Sequence, residues 1–587
     1  LSDRTGSGQV WSAAPSGNNL AQVTDIEGGV EGFSVAPSGD RILYIKRVPV
    51  LKRSSSELYS DLGQSKAKIY DDLMERHWDY WDDGSYLHLF VADMAGRVTG
   101  GTDIMEGEPW DAPLAPYFDA SEIAWNHAGT QLAYTCKKLT GTQYALSTDS
   151  DIYLYDVASG RTSNLTEGMP GYDKYPVFSP DDSMIAFTSM ERPGNESDKD
   201  RLFVMSLADG SKRYLTEGFD YNAGNVRWAD DSTLLFLSPI RATIQLCSVS
   251  LSGGPVRVIT SGAHDLNAFS AAGGRVVAEM TTLGSPTELF DVNPSDGAMT
   301  RITNTNAEIY EHIRMGKVEE RWVETTDGKR MLVWVVLPPD FDPSKKYPAL
   351  LYCQGGPQSV VSQFWSYRWN LQLMAAQGYV VVAPNRRGLP SFGQEWLDQI
   401  SGDYSGQNIR DYLSAIDDVS AEPWVDRDRL GCVGASYGGY SVFFLAGNHQ
   451  KRFKAFIAHC GMFNFESMYG ATEELWFPNN DLGGPYWSDS PVARRSYANS
   501  PHKFVKNWDT PILIFSGQRD FRIPYTESLQ AFTAARLMGV PSRLVSFEDE
   551  AHQVFKPQNS LVWNREFFSW LDRYVKNAET PAEQTGR

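Results

Sequence analysis

No run of about 18 consecutive apolar residues occurs in the sequence, which excludes a helix crossing a bilayer and any membrane insertion by that route. Positive charge is in short supply: 53 Lys and Arg stand against 73 Asp and Glu, a formal net charge of −20. A nucleic-acid partner, which requires a basic face to displace counterions, is therefore not expected. Cysteine is scarce, odd in number and scattered, at Cys136, Cys247, Cys353, Cys432 and Cys460. This excludes a framework of paired disulfides and offers no metal-ligand spacing. Buried free thiols are expected, with neither metal nor cofactor.

What is present is enough for more than one packed core. The chain has 587 residues, 42% of them hydrophobic and 12% aromatic, too long for a single core and expected to form two or more domains. Residues 1–305 repeat internally. An aromatic or apolar residue, a polar turn and an alternating strand recur at Ala124–Tyr134, Val177–Phe187 and Arg227–Phe236, with weaker copies at Val35–Tyr44 and Phe269–Val277. A strand, a glycine turn and a strand ending in threonine recur at Thr166, Thr216, Thr260 and Thr303, with looser versions at Thr24 and Thr102. Units of roughly 40–50 residues with two hairpins each point to propeller blades. Leu1-Ser2-Asp3-Arg4 matches Thr188-Ser189-Met190-Glu191 of a later unit. A preceding piece and an incomplete first blade are therefore expected. Residues 46–86 interrupt the period. Within them Ala67–Trp81 has a helical start and dense aromatics, and reads either as a loop on a blade edge or as a segment leaning toward a substrate, with Asp72 or Arg76 meeting its ends.

From Lys317 the repeat stops and strands alternate with helices, the pattern of a doubly wound sheet. Residues 306–587 are read as this second domain. Its focus is Gly434-Ala435-Ser436-Tyr437-Gly438, a Gly-x-Ser-x-Gly turn between a buried strand and an apolar helix, as at the nucleophile of an α/β-hydrolase. A serine hydroxyl needs a positioned base, and in that fold the order is Ser, then Asp or Glu, then His. Asp520 follows the strand Ile512–Phe515. Of His459 and His552, each in a loop after a strand, only His552 lies beyond Asp520. Ser436 is thus the candidate nucleophile, Asp520 the orienter and His552 the base. The N–H of Tyr437 and that of Gly356, or of Gly355, are the candidate oxyanion donors.

Gly434–Tyr440, Gln354-Gly355-Gly356-Pro357, Asn385-Arg386-Arg387-Gly388, Gly517–Pro524 and Glu550-Ala551-His552 together resemble the prolyl-oligopeptidase family of serine peptidases. The likeness is strongest to its dipeptidyl-peptidase V and acylaminoacyl-peptidase branch. The resemblance implies a seven-bladed N-terminal propeller before the hydrolase, and a periplasmic or secreted peptidase acting on short peptides with a free N-terminus, with a homodimer as a candidate assembly. Gln354 stands where prolyl-specific members carry a tyrosine, which argues for a backbone oxyanion hole and against proline specificity. By the family pattern Met462, Phe465, Tyr469, Trp476 and Ile523 line an apolar pocket or pack in the core, and Arg522 donates to a substrate carbonyl. An acid from the propeller, Glu122 or Glu191, would bind the α-amine. Release of dipeptides is the expected activity. Acylaminoacyl-peptidase, oligopeptidase or esterase action are the alternatives, and an inactive interaction scaffold is the alternative of another kind.

Overall fold

In a computed structural model of the chain, which describes residues 1–577, the first half is built from small antiparallel sheets in sequence. A two-stranded pair, Trp11–Ser12 with Ala21–Gln22, comes first. Four-stranded meanders follow: Gly32–Val35 to Thr102–Asp103, Ile123–Trp125 to Arg161–Asn164, and Asp173–Phe178 to Lys212–Tyr214. Two more meanders, Gly224–Asp230 to Arg257–Val258 and Asp265–Ala272 to Met299–Arg301, are joined by one parallel bridge between Ile244 and Asp265.

The recurring threonines have a mechanical explanation. Thr166 Oγ1 accepts from Ile152 N at 3.0 Å, Thr216 from Leu202 at 3.0 Å, Thr260 from Leu246 at 2.9 Å and Thr303 from Leu289 at 2.9 Å. Each bond spans 14 residues and ties the last strand of a unit to the third strand of the same sheet. Thr24 does the same toward Val10. The recurring tryptophans join one sheet to another: Trp228 Nε1 donates to Val177 O at 3.1 Å and Trp125 Nε1 to Ser34 O at 3.4 Å.

The expected helical start at Ala67 does not form. Residues 67–75 are extended or bent and lead into a hairpin of Arg76–His77 with Tyr80–Trp81. Ile69 N donates to Arg53 O at 2.9 Å and Lys68 bridges Ser54. The segment's backbone bonds are thus made to a neighbouring stretch, and its aromatic rings face other rings and cations. The one short helix of this insertion is Ser55–Leu58, closed by a Ser54–Glu57 capping box.

The second half is a single eight-stranded sheet. Its strands in chain order are β1 Val318–Glu324, β2 Arg330–Val336, β3 Tyr347–Cys353, β4 Val380–Pro384, β5 Val425–Ala435, β6 Ala455–His459, β7 Ile512–Gly517 and β8 Ser542–Phe547. Their spatial order is β1-β2-β4-β3-β5-β6-β7-β8, with β3 to β8 mutually parallel. Helices α1 Gln407–Ser420, α2 Tyr437–Asn448, α3 Tyr525–Leu537 and α4 Pro557–Leu571 cover it. β4, β6, β7 and all of β3 but Tyr347 are buried on both faces, as a parallel sheet between helical layers requires. Cys353 and Cys432 sit in neighbouring strands with their Sγ atoms 3.7 Å apart, both buried and unbridged.

Replacing Thr216 by valine keeps the shape and leaves the buried Leu202 N–H without its acceptor, at a cost of about 1–3 kcal/mol. A lower denaturation midpoint is expected for this variant. Thr162→Val, at an exposed strand position, is expected to stay within about 0.5 kcal/mol of the parent.

Candidate active site

The sequence around Ser436 forces a sharp turn from β5 into α2. Ser436 takes φ 58° and ψ −120°, a conformation rarely adopted by a residue with a side chain. Its amide donates to His459 O at 2.9 Å and its carbonyl accepts from Tyr440 N at 2.9 Å. The glycines permit the approach of neighbouring backbone. A Cβ at Gly434 would lie 2.6 Å from Gly438 O, and one at Gly438 would run into the Cys353 carbonyl. The Tyr437 N–H thus opens α2 immediately beside Ser436.

The loop after β3 is held against this turn. A Cβ at Gly355 would fall 3.6 Å from Ser436 Cβ, and Gly356 has φ 110° and borders the same cavity as Ser436. Arg386, fully buried, fastens the loop. Its Nη2 donates to Pro357 O at 3.2 Å and Gln354 O at 3.5 Å, its Nε to Tyr412 Oη at 3.1 Å, and its guanidinium stands 4.5 Å over the Tyr437 ring. With the Gln354 carbonyl turned to Arg386, the N–H of Gly355, on the opposite side of the same peptide unit, points away from it.

Asp520 and His552 come from the loops after β7 and β8. His552 Nδ1 lies 2.8 Å from Asp520 Oδ2, and Asp520 Oδ1 accepts from Ile523 N at 2.9 Å. Both groups are buried, with 1% and 8% exposure. His552 Nε2 makes no hydrogen bond to Ser436 and instead lies 3.9 Å from Cys460 Sγ. Serine–histidine bonds of this kind are often long before substrate binds and tighten around it. Burial alone would lower the His552 pKa, but the Asp520 carboxylate, aided by Cys460, outweighs it and holds the imidazole up at about 10. His459 differs: burial pushes it down to about 3 and neither ring nitrogen has a partner.

Ser436 opens onto a cavity of about 550 Å³ lined by residues from both halves of the chain. Met462, Trp476, Ile523, Arg522 and Glu122 of the expected pocket residues line it. Phe465 and Tyr469 do not. Phe465 is packed against Tyr440 at 5.2 Å between ring centroids, and Tyr469 Oη donates to Asn479 Oδ1 at 2.9 Å. Both support the loop that carries Met462 and are core residues. That loop is fixed by Glu527, whose buried carboxylate accepts from Phe463 N and Asn464 N at 3.0 and 2.6 Å.

Glu191 lies outside the cavity, with a carboxylate 71% exposed and 3.6 Å from Arg201. It sits one residue past Met190, which does line the cavity, so its side chain turns the other way. Arg76 also lies elsewhere, donating to Ala471 O at 2.9 Å with its guanidinium over Trp81 and Phe521. The insertion reaches the site through Trp78 instead. Its ring stands 5.6 Å from that of His552, and the Arg522 guanidinium lies 4.8 Å over it.

Three acids that the sequence reading passed over line the cavity, Asp119, Glu196 and Glu474. Glu474 holds Arg522 Nη1 at 2.8 Å while Glu473 takes Nε at 2.5 Å. Arg522 Nη2, buried in the cavity wall, has no partner. Burial raises the pKa of Glu196 and of Glu474, and pushes Glu122 up to about 7. Glu122 also accepts from Leu114 N at 2.7 Å. The pair Glu473-Glu474 just before Trp476 was the available signal, since adjacent acids next to a buried aromatic require a cation.

A family profile for prolyl oligopeptidases matches residues 365–578. The chain is 51% identical to dipeptidyl-peptidase 5 of Porphyromonas gingivalis over 94% of this chain and 80% of that one. It is 46% identical to dipeptidyl-peptidase 5 of Porphyromonas endodontalis over 97% of this chain and 82% of that protein. The chain belongs to the prolyl oligopeptidase family. Among solved structures, an acylaminoacyl peptidase of Pyrococcus horikoshii superposes with a TM-score of 0.79 at 21% identity, covering 97% of this chain and 85% of that one. Its fold is shared. As a family member the chain carries an α/β-hydrolase domain, and its Ser436 turn and β1-β2-β4-β3-β5-β6-β7-β8 sheet are the parts of that domain that position the site.

A base must be unprotonated to take a proton, so with His552 in that role activity is expected to rise with pH through a pKa above the 6.5 of an ordinary histidine. Asp520→Asn removes the charge that raises it. The pH–rate profile of kcat is therefore expected to shift toward lower pH while kcat falls by about 10⁴-fold.

Proposed function

We propose that the protein is a serine peptidase that releases dipeptides from the free N-termini of short peptides, with an apolar residue preferred at the cleaved carbonyl and without proline specificity. Ser436 attacks the carbonyl, His552 accepts the hydroxyl proton and passes it to the leaving amine, and Asp520 holds Nδ1 protonated so that Nε2 faces the reaction. The N–H groups of Tyr437 and Gly356 receive the developing oxyanion. Met462, Trp476 and Ile523 form an uncharged wall for the side chain of the residue being cut. The unpartnered Arg522 Nη2 donates to the preceding substrate carbonyl. One observation carries the dipeptidyl reading: half of the residues are shared with a dipeptidyl-peptidase 5 over nearly the whole chain, in a protein whose nucleophile opens onto an acid-lined cavity.

The α-amine of the substrate is assigned to Glu196 and Glu474, with Glu122 nearby. Glu474 shares Arg522 with Glu473, and Glu196 and Glu122 make no ion pair among the described residues, with Lys174 the nearby cation. In this buried site an added ammonium group offsets the cost of burying the negative charge that remains. Residues 1–305 are assigned to a propeller that opens with the two-stranded pair of Trp11–Ser12 and Ala21–Gln22, and residues 306–587 to the catalytic domain. The successive four-stranded meanders and the threonine ties support that division. The propeller then acts as a size filter. Among the described residues no helix is long and apolar enough to cross a membrane.

Dipeptidyl and N-acetylated reporters of the same sequence separate the dipeptidyl reading from the acylaminoacyl one. Hydrolysis of the free-amine reporter at least tenfold faster is the expected result, and preference for the acetylated one contradicts it. Glu196→Gln and Glu474→Gln are expected to raise KM for the free-amine reporter by about tenfold or more, a loss of roughly 1.4 kcal/mol, with a much smaller effect on a neutral ester. Fluorophosphonate labelling confined to Ser436 and lost in Ser436→Ala excludes the inactive-scaffold alternative.

A further inference from the structure

Cys460 is the one thiol of the chain placed at the reacting groups. It follows His459, whose carbonyl receives the Ser436 amide, so the end of β6 carries it directly alongside the nucleophile turn. Cys460 takes φ 42°, in the left-handed region, which turns the chain as it leaves the strand. Its Sγ lies 3.9 Å from His552 Nε2 and 3.5 Å from the His552 carbonyl, and Sγ, imidazole and the Asp520 carboxylate lie within 4.8 Å of one another. The imidazole is 8% exposed, and Nε2 has no nitrogen or oxygen partner among the described residues.

We propose that Cys460 Sγ and His552 Nε2 form a binding site for a thiophilic divalent cation, Zn²⁺ or Cd²⁺ in kind, and that its occupation shuts off the enzyme. This inference rests on the reading of His552 as the base.

The distances fit the chemistry. Zinc binds thiolate sulfur at about 2.3 Å and imidazole nitrogen at about 2.0–2.1 Å. At a tetrahedral angle the two ligand atoms then stand about 3.6 Å apart, so the observed pair needs to close by only a few tenths of an ångström. Asp520 does not join as a ligand, because Oδ2 is taken by His552 Nδ1 and Oδ1 by Ile523 N. It acts on the opposite ring nitrogen, where a carboxylate fixes the tautomer that leaves Nε2 free to bind metal. Water, or Ser436 Oγ, completes the coordination.

The balance is simple. The Cys460 thiol and the Nε2–H of the protonated imidazole each give a proton to solvent, the thiolate and the freed Nε2 lone pair bind the cation, and no electron is transferred. The lone pair that would accept the Ser436 proton is then occupied, and hydrolysis stops. Soft and borderline cations are selected, whereas Mg²⁺ and Ca²⁺, which take oxygen ligands, are not. The other adjacent sulfur pair, Cys353 and Cys432, is buried in the sheet with no exposure and no imidazole.

The test uses the full chain. Zn²⁺ is expected to inhibit hydrolysis of a dipeptidyl reporter reversibly, with activity restored by a chelator, and Mg²⁺ to have no effect at the same concentration. Each variant serves as its own reference. Cys460→Ala and Cys460→Ser are expected to raise the half-inhibitory Zn²⁺ concentration at least tenfold, and Asp520→Asn to weaken metal binding by about 10–100-fold. Binding is read without activity by titrating Ser436→Ala with Co²⁺ and following the sulfur-to-cobalt charge-transfer absorption, which is expected to vanish in Ser436→Ala/Cys460→Ala. Equal Zn²⁺ sensitivity with and without Cys460, or an absorption band that persists without it, overturns the proposal. Hydrolysis that survives Ser436→Ala instead overturns the catalytic reading, and the Co²⁺ titration separates the two.

Discussion

The parallel register of β5, β6, β7 and β8 is the constraint on which the site depends. Ala435 pairs with His459 and His459 with Phe515, while Gly517 pairs with Phe547. The four strands therefore end at nearly one level. Ser436, Cys460, Asp520 and His552 occupy the first few positions beyond those ends. Chemistry collects at the carboxyl edge of a parallel sheet because successive strands all leave the core there. The positions that let α2 pack this low are glycines. Gly439 and Gly461 approach each other so closely that a Cβ on Gly439 would lie 2.8 Å from Gly461 Cα, and larger residues would lift the nucleophile off the sheet.

The cavity is governed by a second balance, between acids and a single clamped guanidinium. Arg522 is held by Glu473 and Glu474 and stacked on Trp78, so its position is set by both halves of the chain. The two acids keep the arginine ionised in a buried place, and the arginine in turn lowers the pKa of Glu473 despite its burial. Glu122 and Glu196 make no ion pair of this kind among the described residues, and despite the nearby Lys174 burial raises the pKa of both. A cationic substrate end completes the set. The same arrangement explains why an insertion in the N-terminal half belongs to the site: Trp78 packs against His552 and Arg522, and its carbonyl accepts from Phe521 N at 3.2 Å.

The spacing of glycines around Ser436 and the strand-loop placement of Asp520 and His552 were legible in the sequence, because each motif carries a local backbone demand. The threonine repeat was legible for the same reason, as each threonine closes a bond of fixed 14-residue span. The pocket was less so. Met462, Ile523 and Trp476 reach the cavity while Phe465 and Tyr469 face the core, and a single turn of a short helix decides which. Glu191 and Glu196 are five residues apart in one loop, and only the path of that loop sends one to solvent and the other to the cavity. The extended course of residues 67–75 was hidden because its partners, Arg53 and Ser54, lie outside the segment. Such outcomes depend on tertiary pairing and leave no periodic trace.

The central claim is that three loops converge so that an alcohol oxygen, an imidazole and two backbone amides surround one carbonyl carbon. A crystal structure of the protein inactivated by a dipeptidyl diphenylphosphonate tests it most directly. The account predicts phosphorus bonded to Ser436 Oγ, one phosphoryl oxygen between the amides of Tyr437 and Gly356, and the substrate amine against Glu196 and Glu474. An adduct on another residue, or a phosphoryl oxygen pointing away from both amides, would contradict it.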